Sequence, residues 1–448
     1  MSTKPFDPLA LLDDLIARAQ RAGADAADAV LFESASLSVA WRLGKSEGVE
    51  RAEALDLGLR VFCGRRQAVV SSTDVGADAL AGLIERALAM AKAAPEDPHC
   101  GLVDADRLAR EVPDLELCDS DEPAPEALVA RAACAEDAAR AVTGVSNSEG
   151  AEAGWSRTRV ALAASNGFAG SYAASQHSVA VSVLAGEGTA MERDYDYAVA
   201  RFAADLADAE TIGRSAGERA VRRLNPRKAA SAEMPVVYDP RVARGLLSHL
   251  ASAINGAAIA RGTSFLKDRM GETVFAPGVA VIDEPRRVRG LRSKPFDGEG
   301  AATRTHRVID DGVLTTWLLD RRSAHQLGLV TTGHASRGAS SPPSPSATNL
   351  YLAAGTQSPA ALMADIREGI YVTELIGMGI NGVTGDYSRG AVGFRIENGA
   401  LAHPLSEVTV AGNLKDMFRA LVPADDLEFR YGIDSPTVRI DGMTVAGV

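Results

Sequence analysis

Aromatic side chains make up only 5% of this sequence, too few to build a stacking platform for sugars or single-stranded nucleic acid. Cysteine is scarcer: Cys63, Cys100, Cys118 and Cys134 all lie in the first third. None forms a C-x-x-C pair and their spacing fits no zinc ribbon or finger, so they read as reduced thiols rather than a disulfide framework. No run of about 18 apolar residues exists to cross a membrane as a helix. Positive charge is in deficit, 47 Lys and Arg against 59 Asp and Glu for a net charge of −12. That balance argues against a non-specific nucleic-acid binder, which needs clustered cations. Asp13 and Asp14 interrupt the apolar stretch of the opening segment. A signal-peptide core is therefore absent and the expected compartment is the cytoplasm. The common catalytic signatures are missing as well. No two of the seven histidines stand at the spacing of H-E-x-x-H, and neither G-x-S-x-G nor a phosphate-cradling G-x-x-x-x-G-K-[ST] occurs.

What remains is an ordinary globular composition, 46% hydrophobic and 24% charged over 448 residues, enough for two to four domains. Residues 8–22 carry Leu9, Leu12, Leu15, Ile16 and Ala19 at helical spacing. Two strand-like stretches follow, the second with Leu57, Leu59, Val61 and Cys63 at period two. Ala-rich helices are expected near 75–93 and 125–142, a second strand block over 144–202, and a helix TIGRSAGERAVRRL before the boundary at Asn225-Pro226. Helix, strands, helices, strands, helix reads as a loose duplication without a residue-level repeat. After it come the strand MPVVYDP, a long helix ARGLLSHLASAINGAAIA, and a region of strands, turns and glycine. The expected fold class is α+β. A mixed α/β domain would occupy residues 1–230 and a strand-rich domain with one long helix residues 231–448. The Pro/Ser-rich segment 333–349, GHASRGASSPPSPSATN, is too irregular for regular structure and is expected to be functional or disordered.

Three segments concentrate polar groups in apolar surroundings. In SKPFDGEG, Asp297 and Glu299 flank a glycine; two carboxylates so placed suit a cation or an acid/base pair, or simply an Asp-Gly turn. In GDYSRGAVGF, Asp386 and Arg389 stand three apart between glycines, where a structural ion pair is the plainer reading. In EVTVAGNLKDMF a strand runs through Ala411-Gly412-Asn413 into a helix, as an anion-holding helix start or, more plainly, an ordinary Asn N-cap. His249, within LLSHLAS, reads first as a satisfied helix residue rather than a ligand, and His334, beside the Pro/Ser segment, equally as a solvated loop residue or a functional one.

These segments, with DDGVLTTWLLDRRSAHQLGLVTTGHA and VTELIGMGINGVTGDYSRGAVGFRIENG, closely resemble the TldD/PmbA family. The resemblance spans nearly the whole chain, is sharpest over 240–420, and looks like the TldE (PmbA) branch. It implies a subunit of a TldD/TldE metallopeptidase that acts on unfolded or flexible peptides. TldD-type chains carry H-E-x-x-x-H and a later cysteine ligand. Here the matching helix, SHLASAING, keeps His249 as a vestigial ligand position, while Leu250 and Ile254 replace the other two residues, and no cysteine follows Cys134. No catalytic residue and no metal are therefore expected in this chain, and zinc is expected in a TldD-like partner. The partners implied are that subunit in a heterodimer, a second copy of this chain in isolation, and a peptide, with neither nucleic acid nor membrane. Asp297, Glu299, His334, Asp386, Arg389, Asn413 and Lys415 are the candidates for the substrate cleft. The competing readings are a protease-independent regulator docking onto a toxin–antitoxin or gyrase-related protein, and a hydrolase built on Asp297 and Glu299.

Overall fold

The computed structural model describes residues 6–447. Helix α1 (Pro8–Arg21) begins where the Asp7 carboxylate accepts the N–H groups of Leu9 and Ala10 and Pro8 supplies a preset φ. Strands β1 (Ala26–Arg42), β2 (Lys45–Cys63) and β3 (Arg66–Ser72) follow, then α2 (Ala77–Ala93). The same order returns in α3 (Pro125–Arg140), β4 (Val145–Ala164), β5 (Ala169–Ala185), β6 (Glu192–Ala200) and α4 (Ala209–Arg222). All six strands form one antiparallel sheet, β3-β2-β1-β4-β5-β6. The two runs thus meet through their first strands, and the duplication is a topological one. Period-two alternation puts most apolar side chains of the sheet on one face, while Val30 and Leu162 belong to a separate cluster with Phe168 and Phe296. On the main face α1 and α2 cover Leu31, Leu57, Leu59 and Val61, while α3 and α4 cover Leu37, Val39, Val179 and Val181.

These strands are unusually long, and β2 outruns its neighbour. Strand β3 pairs with Leu57–Cys63 alone, while Lys45–Ala54 pairs with β1 on one side only among the described residues. Every residue from Lys45 to Ala54 is exposed.

The second half opens with β7 (Ala232–Tyr238), α5 (Pro240–Ala253) and α6 (Gly256–Ala260). The single helix expected here is cut at Ile254. Asn255 caps α6 by accepting the Ala257 N–H, and its Nδ2 donates to Pro345 O at 2.8 Å. Next come β8 (Val281–Asp283), β9 (His306–Asp310), β10 (Val313–Leu314), α7 (Arg321–Gln326), β11 (Ala335–Ser336), β12 (Ser344–Pro345), β13 (Leu350–Leu352) and α8 (Pro359–Met363). The long strands β14 (Glu368–Ile380), β15 (Asp386–Glu397) and β16 (Ala400–Asn413) lead through α9 (Leu414–Ala420) and β17 (Leu421–Pro423) to β18 (Ile433–Asp434) and β19 (Val438–Ala446). Strands β16-β15-β14-β7-β19 are neighbours in that order, and β16 also pairs with β19, so the sheet closes into a ring. A smaller sheet runs β10-β9-β8-β13-β18. Helix α5 packs against β13, β14 and β18, joining the two sheets in one core. The fold is α+β.

The Pro/Ser-rich segment 333–349 departs from expectation. It contains the β11–β12 hairpin and docks on the first sheet, crossing Gly58 so closely that a Cβ there would lie 2.2 Å from Ala339 O. Further contacts lock the halves together. The Phe168 and Phe296 rings meet edge-on at 5.0 Å, Arg241 reaches Asp194 at 2.7 Å, and Arg223 reaches Glu374 at 2.6 Å.

Candidate functional site

Helix α5 starts at Asp239, whose carboxylate accepts the Arg241 N–H and the Tyr371 hydroxyl, each at 3.0 Å. Its buried stripe is Ala243, Leu246, Leu247, Leu250 and Ala253. His249 falls at the margin of that stripe, half-buried, its ring edge-on to Tyr387 of β15 at 6.1 Å. Tyr238 and Tyr387 are buried with their phenols facing one another, and burial raises both, Tyr387 to about 12, so both are neutral hydroxyls. Arg389, half-buried on β15, donates its Nε to Ile376 O at 3.3 Å and has no carboxylate partner among the described residues. Burial, and after it the Arg389 charge, hold His249 below the usual imidazole range.

Three residues before Arg389 on β15, Asp386 accepts Asn413 Nδ2 at 3.0 Å, and Asn413 Oδ1 caps α9 by accepting the Lys415 N–H at 3.1 Å. Hydrogen bonds from Thr384 and Asn413 hold Asp386 below the ordinary carboxylate range. The Asp386–Arg389 ion pair expected from sequence does not form. Side chains three apart on a strand point to opposite faces, and each finds another partner. The adjoining β14–β15 hairpin leaves Ile376 58%, Met378 87% and Val383 57% exposed. His249 and Arg389 thus lie together on one side of β15, while Asp386, Asn413 and Lys415 form a separate group on its other side.

Asp297, Glu299 and His334 lie elsewhere, between the two halves, with 2%, 5% and 2% of their surface exposed. Asp297 Oδ1 accepts the Glu299 and Ala301 N–H groups and Oδ2 that of Ala335, which makes it the organiser of its own turn. Glu299 accepts the Arg321 N–H at 2.8 Å and stands 3.5 Å from Arg60. His334 bridges Asp283 at 3.2 Å and Thr332 at 2.8 Å. Sequence inspection missed the residues that complete this region. Arg60 bonds Asp28 at 2.9 Å, and Arg337 bonds the same carboxylate at 2.6 Å. The available signal was Arg60 itself, a charge inside the apolar strand run LGLRVF.

Family models match the chain in three consecutive pieces. These are the PmbA/TldA metallopeptidase domain 1 over residues 27–91, the central domain over 118–224 and the C-terminal domain over 231–447. Metalloprotease PmbA of Escherichia coli O157:H7 is 37% identical over 425 residues, 94% of this chain and 92% of that protein. The chain belongs to the PmbA/TldD metallopeptidase family. A PmbA homolog of Haemophilus influenzae is also 37% identical, covering 96% of this chain and 94% of its own. Among solved structures, a protein from Bacteroides thetaiotaomicron described as a candidate modulator of DNA gyrase superposes with a TM-score of 0.89 at 28% identity, over 98% of both chains. TldE from Thermococcus kodakarensis gives 0.87 at 19% identity over 98% of this chain and 100% of its own, and shares the fold.

Membership in a metallopeptidase family raises the question of a metal, and the donors on α5 of this PmbA/TldD chain do not fit one. Leu250 and Ile254 are both 0% exposed in the apolar core, and the ring of His249 faces a phenol and an arginine. Among the described residues no three His, Cys, Asp or Glu side chains gather closely enough to hold an ion. No helix among them is long and apolar enough to cross a membrane.

Proposed function

We propose that this chain is the TldE-type subunit of a cytoplasmic two-chain metallopeptidase for unfolded or flexible peptides, with the zinc and the general base supplied by a TldD-like partner. The observation that carries this reading is the α5 donor set, a lone His249 followed by the buried Leu250 and Ile254, with the Arg389 charge beside the imidazole. A hydrolytic zinc site needs about three protein ligands and an open position for water. An arginine beside a lone imidazole repels a dication instead of recruiting one. The exposed Ile376, Met378 and Val383 give a partner or an extended peptide an apolar place to dock, and Arg389 and Lys415 offer charge for a peptide carboxylate.

The test is to purify the chain, measure its zinc, and assay cleavage of an unfolded protein with and without a TldD-type chain from the same genome. We expect substoichiometric zinc, no cleavage alone, and chelator-sensitive cleavage once the partner is added. One zinc per chain, or cleavage by the chain alone, overturns the proposal. Tight binding to another protein without proteolysis in any combination would instead favour the regulatory reading.

A further inference from the structure

In the seam between the halves, the 287–291 loop meets the end of β6 and the 429–434 segment around a cavity of about 230 Å³. Sites for drug-sized ligands span ~300–1,000 Å³, so this one suits a small ion and not a peptide chain. Three arginines line it, and two of them are answered by carboxylates. Arg289 donates to Asp205 at 2.9 Å and to Glu116 at 2.8 Å. Arg287 reaches Glu284 at 3.2 Å through one nitrogen, and its guanidinium lies on the Phe429 ring, 3.4 Å from the centroid. Arg201 has no carboxylate within ion-pair distance among the described residues. It donates to three carbonyls instead, Ser175 O at 2.9 Å, Gly290 O at 3.3 Å and Leu291 O. Carbonyls accept these bonds without cancelling the charge, and two of the five N–H groups are left over. Burial accordingly lowers the Arg201 pKa. Two carboxylates also line the cavity, but both are already engaged. Asp205 serves Arg289, and Asp434 accepts the N–H groups of Arg430, Tyr431 and Gly432 at 2.8–3.0 Å.

A cation drawn out of water without a counter-charge is costly, and a water molecule in the cavity would fill space without supplying one. An oxyanion does both, and its paired oxygens match the fork of a guanidinium. We propose that this seam cavity binds a small oxyanion, a carboxylate or a phosphate, held by Arg201 from the first half and Arg287 from the second. The unengaged N–H groups of Arg287, steadied by the Phe429 ring, supply the second arm. The anion bridges the halves, so its binding adds to the stability of the folded chain. None of these residues belongs to the His249 or Asp386 groups, and the inference stands independently of the peptidase reading.

The experiment is calorimetric titration of the full-length chain with sodium phosphate and, separately, sodium acetate, with sodium chloride at matched ionic strength as the control. We expect one saturable site per chain for at least one oxyanion and none for chloride, and the tighter of the two identifies the source. The melting temperature should rise with that oxyanion and stay level in chloride. Arg287→Met removes one arm at a part-exposed position. It should weaken binding about ten-fold or more while leaving the ligand-free melting temperature in place. Arg201→Met should abolish binding; it also gives up three carbonyl bonds, and Arg287→Met keeps the test decisive if that chain does not fold. No saturable site for either oxyanion, an equal shift in chloride, or binding indifferent to Arg287→Met overturns the proposal.

Discussion

Glu299 shows how one side chain can set the pH response of the whole fold. Burial is the main force pushing its ionisation up to about 8, Arg60 opposes it, and Asp297 and Asp320 add to it. Its unfolded value is near 4.5, so between these limits the folded chain holds a proton that the unfolded chain has released. The resulting stability is complete below pH 4.5 and is lost as pH rises through about 8. Glu299→Gln, which keeps an acceptor for the Arg321 N–H, should abolish that decline in denaturation midpoints measured across the window; an unchanged slope would show that another group is responsible. A second residue-scale prediction concerns Gly58. A methyl group there meets the Ala339 carbonyl at 2.2 Å, backbone against backbone, so Gly58→Ala should cost about 1–3 kcal/mol in urea denaturation and make the 333–349 segment easier to cleave with protease. The sequence announced the turn at Asp297 because Asp-Gly chemistry is local. It could not announce the Asp28–Arg60–Glu299–Arg337 cluster, whose members come from both halves of the chain.

At the scale of elements, most helices and long strands were legible because period and caps are read within a dozen residues. The departures came where a side chain chose a distant partner. Asn255 broke an Ala-rich helix by bonding Pro345 O, and the Pro/Ser-rich stretch gained order by lying across β2. The strand-to-helix passage at Asn413 is the reverse case, a local signal that held. Asn413→Ala removes the cap of α9 and the bond to Asp386, and should lower stability by about 1 kcal/mol. At the hairpin tip Met378 is 87% exposed, so Met378→Asp should move stability by no more than about 0.5 kcal/mol. If this tip receives the partner or the peptide, the same variant should slow cleavage by the mixed subunits about five-fold or more. Unchanged cleavage would move the docking face elsewhere.

Across the whole molecule, the two halves are held by buried charge as much as by apolar contact. Burial works against ionising Asp194, but Arg241 and Arg223 outweigh it and hold the carboxylate low. Both guanidinium groups are only 9% exposed. Asp194→Ala leaves the buried Arg241 without its ion-pair partner, while Arg223 keeps Glu374, and should cost about 3–5 kcal/mol in chemical denaturation. A loss below about 1 kcal/mol would mean that water reaches the pair. This contact, like the ring closure in the second half, was invisible in sequence, because strand patterns reveal that a sheet exists but not which edges meet.

That ring has a consequence for how the chain is made. Strand β19 is the piece that seals it, lying between β7 and β16, yet everything from β8 to β18 is synthesised between β7 and β19. Until Val438–Ala446 arrives, a nascent chain holds β7 and β16 as two raw edges around an unfinished core. Closure is therefore a late, long-range event of the kind that folds slowly and tempts neighbouring chains to pair instead. Strand β19 acts as a latch, and a ribosome that stalls before it releases a chain poised to aggregate.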